Sequence, residues 1–225
     1  MNTPVLDVFQ PGLKRGAARL AHAPHKRYFY VEHPAEGWRV YLRAATFIHE
    51  SGADFDPTRF LVVKKTGASA NSDTWEPPKG QMEAKDTSKE KSVRQLLKEN
   101  VFREVEEESK ISSLKGLKYT GMVYQNREPD YPDNHFFQYH VFQAFATPSA
   151  IKKADQEFEW LNSHPKAFER MRKDKREKDA LAWYIPRKTG LMGRWSPTIV
   201  AATCYAMVAD VRRGCCETRQ PVTRW

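Results

Sequence analysis

Three glutamates within five residues are the part of this sequence best suited to chemistry. The run Arg103-Glu104-Val105-Glu106-Glu107-Glu108 is free of Pro and Gly and suits a helix. Residues three and four apart share a helix face, so Glu104, Glu107 and Glu108 converge on one stripe while Glu106 points nearly opposite. Like charges at that spacing cost a helix a few tenths of a kcal/mol per pair, so something should offset them. A hard divalent cation would do so. Mg²⁺ takes oxygen ligands and bridges carboxylates to substrate phosphates. An acidic run alone reads equally well as a solvated helix face; what lies upstream changes the balance. In Trp75-Glu76-Pro77-Pro78-Lys79-Gly80-Gln81-Met82-Glu83, two prolines make a rigid approach. Gly80 lets backbone come close to a ligand, and Lys79 offers a cation beside it.

Residues 75–111 resemble the signature of the Nudix hydrolases: a Gly, five residues, an acid, a spacer, and then R-E-apolar-x-E-E-x-G-apolar. Gly80 matches the glycine, and Asp86 stands where the family usually has Glu. Arg103, Glu104, Val105, Glu107, Glu108 and Ile111 match the second half. The W-x-x-P-K-G approach is similar to that of diadenosine tetraphosphate hydrolases and mRNA-decapping members. Two departures stand out. The spacer from Asp86 to Arg103 has sixteen residues where the family has seven, an insertion of nine, and Lys110 replaces the helix-ending Gly. The insert TSKEKSVRQLLKEN is compatible with a longer helix start, and Lys110 suits the negative end of a helix dipole.

The resemblance implies an α+β fold, a Nudix-like α/β/α sandwich with a mixed β-sheet, and Mg²⁺-dependent hydrolysis of a phosphoanhydride, with Mn²⁺ able to substitute. It implies metal ligation by Glu104, Glu107, Glu108 and the Lys79 carbonyl, with Glu104 also a candidate base. Arg103 would pair with Asp86 to hold the loop against the helix. Many members add an acid from a late loop, for which Glu157 and Glu159 are the candidates. Phosphates would dock at Lys79 and Gly80, with Tyr124 or Tyr131 stacking a base. A member that binds nucleotide or RNA without hydrolysis is the alternative; its mark would be missing acids, and all three are present.

The surrounding elements must hold these residues. Strands are expected at about Trp38–Ile48, Arg59–Lys65, from Lys118 and from Phe136, by their β-branched and aromatic content between turn signals. A helix is expected over Ser92–Ser109, where Val93, Leu96, Leu97, Val101 and Val105 recur at helical spacing. After Thr147 one charged helix would be anchored by Phe158, Trp160 and Leu161, and another would carry the basic stretch with Met171. A last helix starts at Ser196-Pro197, a cap followed by proline in the first helical position. The organisation expected is an arm over residues 1–35 holding one strand near Tyr28-Phe29-Tyr30, a domain over 36–210 with a charged helical insertion at about 150–190, and a loose tail over 211–225.

Composition sets bounds. With 40% hydrophobic and 29% charged residues, the chain has enough for one modest core bearing polar loops. The net charge of +9, much of it between Lys166 and Lys188, favours polyanions; this stretch could track an RNA backbone. Dinucleoside polyphosphates, capped RNA and diphosphoinositols all remain as substrates. Three cysteines, Cys204, Cys215 and Cys216, without metal-binding spacing suggest reduced thiols in an intracellular, cytoplasmic setting. No apolar stretch is long enough for a membrane span. Oligomeric state is not legible.

Overall fold

The computed structural model describes residues 4–21, 23–69, 71–88 and 90–213. The central strand is β3 (Arg39–Glu50), a segment apolar on both faces and buried along almost its whole length. Its long edge pairs in parallel with β8 (His135–Ala146), from Arg39↔His135 to Glu50↔Ala146. Its other edge is divided. β2 (Ala23–Glu32) takes Arg39 to Tyr41, and the short β6 (Lys79–Gln81) takes Arg43 to Ala45, both antiparallel. β1 (Lys14–Leu20) continues beyond β2, and β7 (Lys115–Asn126) lies outside β8. A second sheet places β4 (Leu61–Lys65) between β5 (Trp75–Glu76) and β9 (Lys178–Trp183).

Alternation along the strands sends side chains to two cores. Val40, Leu42, Ala44 and Ile48 face one side, where they meet α1 (Val93–Ser109) and α2 (Pro148–Ser163). Ala45 and Phe47 face the other, where Trp195 and α4 (Pro197–Arg213) cover them with Val200, Cys204 and Met207. The result is three layers, helices on both faces of a mixed sheet, the architecture expected.

The helix α1 is bounded by local chemistry. The Ser92 side chain accepts the Gln95 N–H, and the Gln95 side chain accepts the Ser92 N–H in return. At the other end Lys110 takes the left-handed conformation, φ 63°, in the position where glycine would ordinarily end the helix. Its ammonium also binds the carbonyls of Glu107 (2.7 Å) and Lys175 (2.5 Å). Val93, Leu96, Leu97, Val101 and Val105 are buried against the sheet. Each contributes roughly 1.5–3 kcal/mol, which far outweighs the few tenths lost per like-charged pair. Packing therefore holds the glutamates where they are.

Two expectations about elements need correcting. The N-terminal arm holds two strands rather than one, because Phe29 and Val31 alternate into the core and β1 then pairs along β2. The helix expected to carry the whole basic stretch with Met171 covers only its start. The stretch forms the short helix α3 (Pro165–Arg170) and a 3-10 turn at Lys173–Arg176, and then enters β9. There the exposed edge of β4 offers antiparallel partners from Leu61↔Trp183 to Lys65↔Lys178, and this pairing overrides local helix preference. Helix α4 runs to Arg213; the tail from Gly214, with Cys215 and Cys216, lies outside the described residues. No helix among the described residues is long and apolar enough to cross a membrane.

Candidate active site

The short strand β6 delivers Lys79 and Gly80 to the edge of β3, directly opposite the last two turns of α1. Two contacts join strand and helix. The Lys79 N–H donates to Glu108 Oε2 at 2.8 Å. The Glu104 carboxylate lies against Gly80 so closely that a Cβ there would come within 1.8 Å of Glu104 Cδ. A side chain at position 80 would displace the Glu104 carboxylate.

Arg103 collects the remaining acids. Its Nη1 lies 2.8 Å from Glu104 Oε1 and 3.0 Å from Glu107 Oε2, and its Nη2 reaches Asp86 Oδ2 at 3.4 Å. Asn100 also donates to Glu104 Oε1, at 3.3 Å. Asp86 ends a 3-10 turn (Ala84–Asp86), where its carboxylate accepts the Glu83 N–H at 2.5 Å. The inserted residues supply the 3-10 exit and the first two turns of α1, leaving this contiguous cluster undisturbed.

The second group of charges is buried more deeply. Lys178, from β9, places Nζ 2.5 Å from Glu76 Oε1 and 3.4 Å from Glu108 Oε1. Lys79 Nζ lies 3.2 Å from the same Glu76 oxygen. Glu76 and Glu108 are each 2% exposed and Lys178 is 4% exposed. Such burial is tolerable only because the charges meet one another. Lys178 is a site residue that sequence reasoning missed. It reads as one more cation in a basic stretch, and only the alternation of Ala180, Leu181, Ala182 and Trp183 after it hints at a strand that turns it inward.

Burial and charge set the acidities. Burial pushes Glu104 up to about 8, with Glu108 and Glu107 adding to the rise and Arg103 only partly opposing it. Burial raises Glu108 as well, against the pull of Lys178 and Lys79. For Glu76 burial also acts upward, but the closer lysines Lys79 and Lys178 outweigh it and hold the carboxyl below its ordinary value. Lys79 is held above its ordinary value, because Glu76, Tyr139 and Glu108 outweigh the burial that would lower it. At neutral pH the site therefore combines a buried carboxyl ready to exchange a proton with a lysine that stays charged.

The structure thus brings together Lys79, Gly80, Asp86, Arg103, Glu104, Glu107 and Glu108. The other candidates stand elsewhere. Glu157 acts on Lys110 at the end of α1, and Glu159 is exposed on α2. Tyr124 bonds the Thr203 hydroxyl (2.5 Å) and the Ile199 carbonyl, under α4. Tyr131 is 5% exposed and packs 5.4 Å from the Tyr41 ring. Among the described residues no three acidic, His or Cys side chains already surround one point at ligand distance, since the glutamates are turned to the partners named above.

No family profile matches the sequence, and no curated protein sequence matches it. Similar solved structures include a NUDIX hydrolase from Nitrosomonas europaea, with 14% identity, a TM-score of 0.42, and 76% of this chain and 89% of that one covered. The ORF135 protein of E. coli shows 16% identity and a TM-score of 0.39 over 80% of this chain and 95% of that one. A mutT/nudix family protein from Listeria innocua shows 14% identity and a TM-score of 0.41, covering 76% and 96% respectively. Likeness at this level says nothing of activity.

Proposed function

We propose that this chain is a Nudix-type hydrolase that splits a pyrophosphate linkage in a nucleoside diphosphate derivative with the help of Mg²⁺. The observation that supports this most is the seating of Glu104 on Gly80, with Glu108 tied to the Lys79 N–H. It joins an acidic helix face to a phosphate-suited loop.

The residues present fit the cation. All the donors are oxygen, the ligand type Mg²⁺ requires, and the bare backbone of Gly80 lets the Glu104 carboxylate lie directly against the loop that carries the Lys79 carbonyl. Glu104 and Glu107, with the Lys79 carbonyl, would hold the ion. Glu108, already engaged by Lys79 and Lys178, fixes the loop to the helix. Bound there, Mg²⁺ supplies neutralisation of phosphate charge. The protein's own groups do the rest. Glu104, seated on the Lys79–Gly80 loop, is placed to accept the proton of the attacking water. Lys79 keeps its charge beside the phosphates, and Arg103 orients Glu104 and Glu107 while tethering the Asp86 turn.

For the substrate, the W-x-x-P-K-G approach favours a dinucleoside polyphosphate. The exposed cations Lys166, Arg170, Arg172 and Lys173 favour capped RNA, since their segment packs on the C-terminal end of α1 through Lys110 and Lys175. The test is release of phosphate or nucleotide with Mg²⁺ or Mn²⁺ across diadenosine polyphosphates, capped RNA, dinucleotide cofactors and diphosphoinositols. Metal-dependent turnover of at least one is expected. Tight binding of one with no turnover of any would select a silent binding module instead, a reading favoured only by the internal engagement of all three glutamates.

A further inference from the structure

The buried Lys178 of β9 touches Glu76 and Glu108, the two acids that the hydrolytic reading does not assign to metal. The charges around α1 separate into two halves. In the first, Lys178 and Lys79 face Glu76 and Glu108, two cations for two carboxylates, linked at 2.5, 3.2 and 3.4 Å. In the second, Arg103 is the one cation in ion-pair contact with Glu104, Glu107 and Asp86 among the described residues. Neighbouring Glu83 has lysines of its own, Lys26 at 2.9 Å and Lys85 at 3.3 Å. When ionised, the second half carries an excess of two negative charges, the charge of one divalent cation. The first half carries none.

Accessibility divides the same way. Lys178 and its two carboxylates are sealed from water, and an incoming ion would have to dehydrate and displace an ammonium tethered to a strand. Asp86, Glu104 and Glu107 keep 14, 13 and 10% of their side-chain surface, and the Arg103 side chain over them 22%, against 2 and 3% for Glu76 and Glu108.

We propose that Lys178 is a fixed internal cation that neutralises the Glu76–Glu108 half, confining exchangeable divalent metal to the Glu104–Glu107 half, one ion per chain. The proposal rests on the metal-dependent reading above for the existence of the exchangeable site. Lys178 is then a positioning residue: it holds Glu108 against the Lys79 loop and withholds it from metal.

The experiment counts Mn²⁺ bound per full-length chain, by the electron paramagnetic resonance of free Mn²⁺ and by calorimetry. Wild type should bind one ion. Lys178→Gln should bind two, and the double variant Lys178→Gln/Glu108→Gln should return to one. Because Lys178→Gln leaves two buried carboxylates short of a cation and can fail to fold, single variants in the wild-type background give a second test. Glu108→Gln should change the Mn²⁺ Kd less than threefold, whereas Glu107→Gln should weaken it at least tenfold. Two ions in wild type, one in folded Lys178→Gln, or equal losses for Glu108→Gln and Glu107→Gln would overturn the role of Lys178 alone. No Mn²⁺ bound by wild type would overturn the metal-dependent reading, and this proposal with it.

Discussion

The carboxylate of Glu104 occupies the space that a side chain on residue 80 would need, with only 1.8 Å between Glu104 Cδ and the position of a Cβ on Gly80. Gly80 does not have a left-handed backbone, so alanine can adopt its conformation without strain. Gly80→Ala should therefore leave the fold intact but push Glu104 aside. Misplacement of a catalytic group by about 1 Å costs roughly 100-fold, and turnover should fall by at least that much. Activity assays beside a thermal melt would show it; an unchanged rate would mean that this carboxylate takes no part.

Arg103 offers a comparison between losing a ligand and losing its support. Glu107→Gln removes one candidate ligand and should abolish Mg²⁺-dependent turnover in a folded protein. Arg103→Ala frees Glu104, Glu107 and the Asp86 turn together. It should also cost turnover, with the added mark of faster amide exchange or proteolysis at residues 84–88. A variant as active as wild type would remove Arg103 from the mechanism.

The acidity of Glu104 makes a prediction for the protein without metal. Its folded value of about 8 exceeds the ordinary 4.5, so the folded chain holds this proton more tightly than the unfolded chain does. Between those values stability falls as pH rises, and the penalty is complete above 8. Glu104→Gln should remove it. In chelator, the variant should exceed wild type at pH 8.5 by on the order of a few kcal/mol and match it near pH 4, as read from urea midpoints.

His140 gives the opposite slope. Buried beneath Phe9 and bonded to the Tyr119 hydroxyl at 3.1 Å, it is pushed down to about 3 by burial, with Arg94 adding to the fall. The unfolded chain takes up this proton near 6.5, so stability is full above that pH and is lost as pH falls toward 3. His140→Phe should lose less stability than wild type between pH 6.5 and 4, by an amount on the order of a few kcal/mol. Parallel denaturation curves would eliminate this linkage.

The exposed cations of α3 and the turn after it distinguish the two substrates. Substituting Lys166, Arg170, Arg172 and Lys173 with Gln should weaken RNA binding and flatten its salt dependence by about 0.7 per lost phosphate contact. Hydrolysis of a diadenosine polyphosphate should be unaffected. Equal binding slopes would leave these side chains without a role in RNA recognition.

Local patterns made much of this molecule legible. Val93, Leu96, Leu97, Val101 and Val105 fixed the apolar face of α1, and Ser92 marked its start, because helix periodicity and capping are written in neighbouring residues. The Arg103–Asp86 pairing of loop with helix was implied by the motif; the seating of Glu104 on Gly80 was not. What stayed hidden depends on partners far away in the chain. β9 exists because β4 has an edge to fill, more than a hundred residues earlier. Lys178 is buried because that pairing aims it at Glu76 and Glu108, so a lysine in a basic run looks like surface until the strand is placed. Tyr131 looked available for stacking, but the β1–β2 hairpin closes over it beside Tyr41.

The divided edge of β3 carries a further implication. β2 pairs with β3 as far as Tyr41 and β6 takes over at Arg43, and the Phe29 N–H donates to the Met82 carbonyl at 2.9 Å, so the segment after Gly80 is tied to β2 as well as to the shared edge. A slip of two residues, the smallest that keeps inward side chains inward, would carry Gly80 about 7 Å along the strand. Glu104 would then face a side chain instead of bare backbone. The hairpin at the N-terminal end thus acts as a ruler, setting to the residue where the glycine meets its acid.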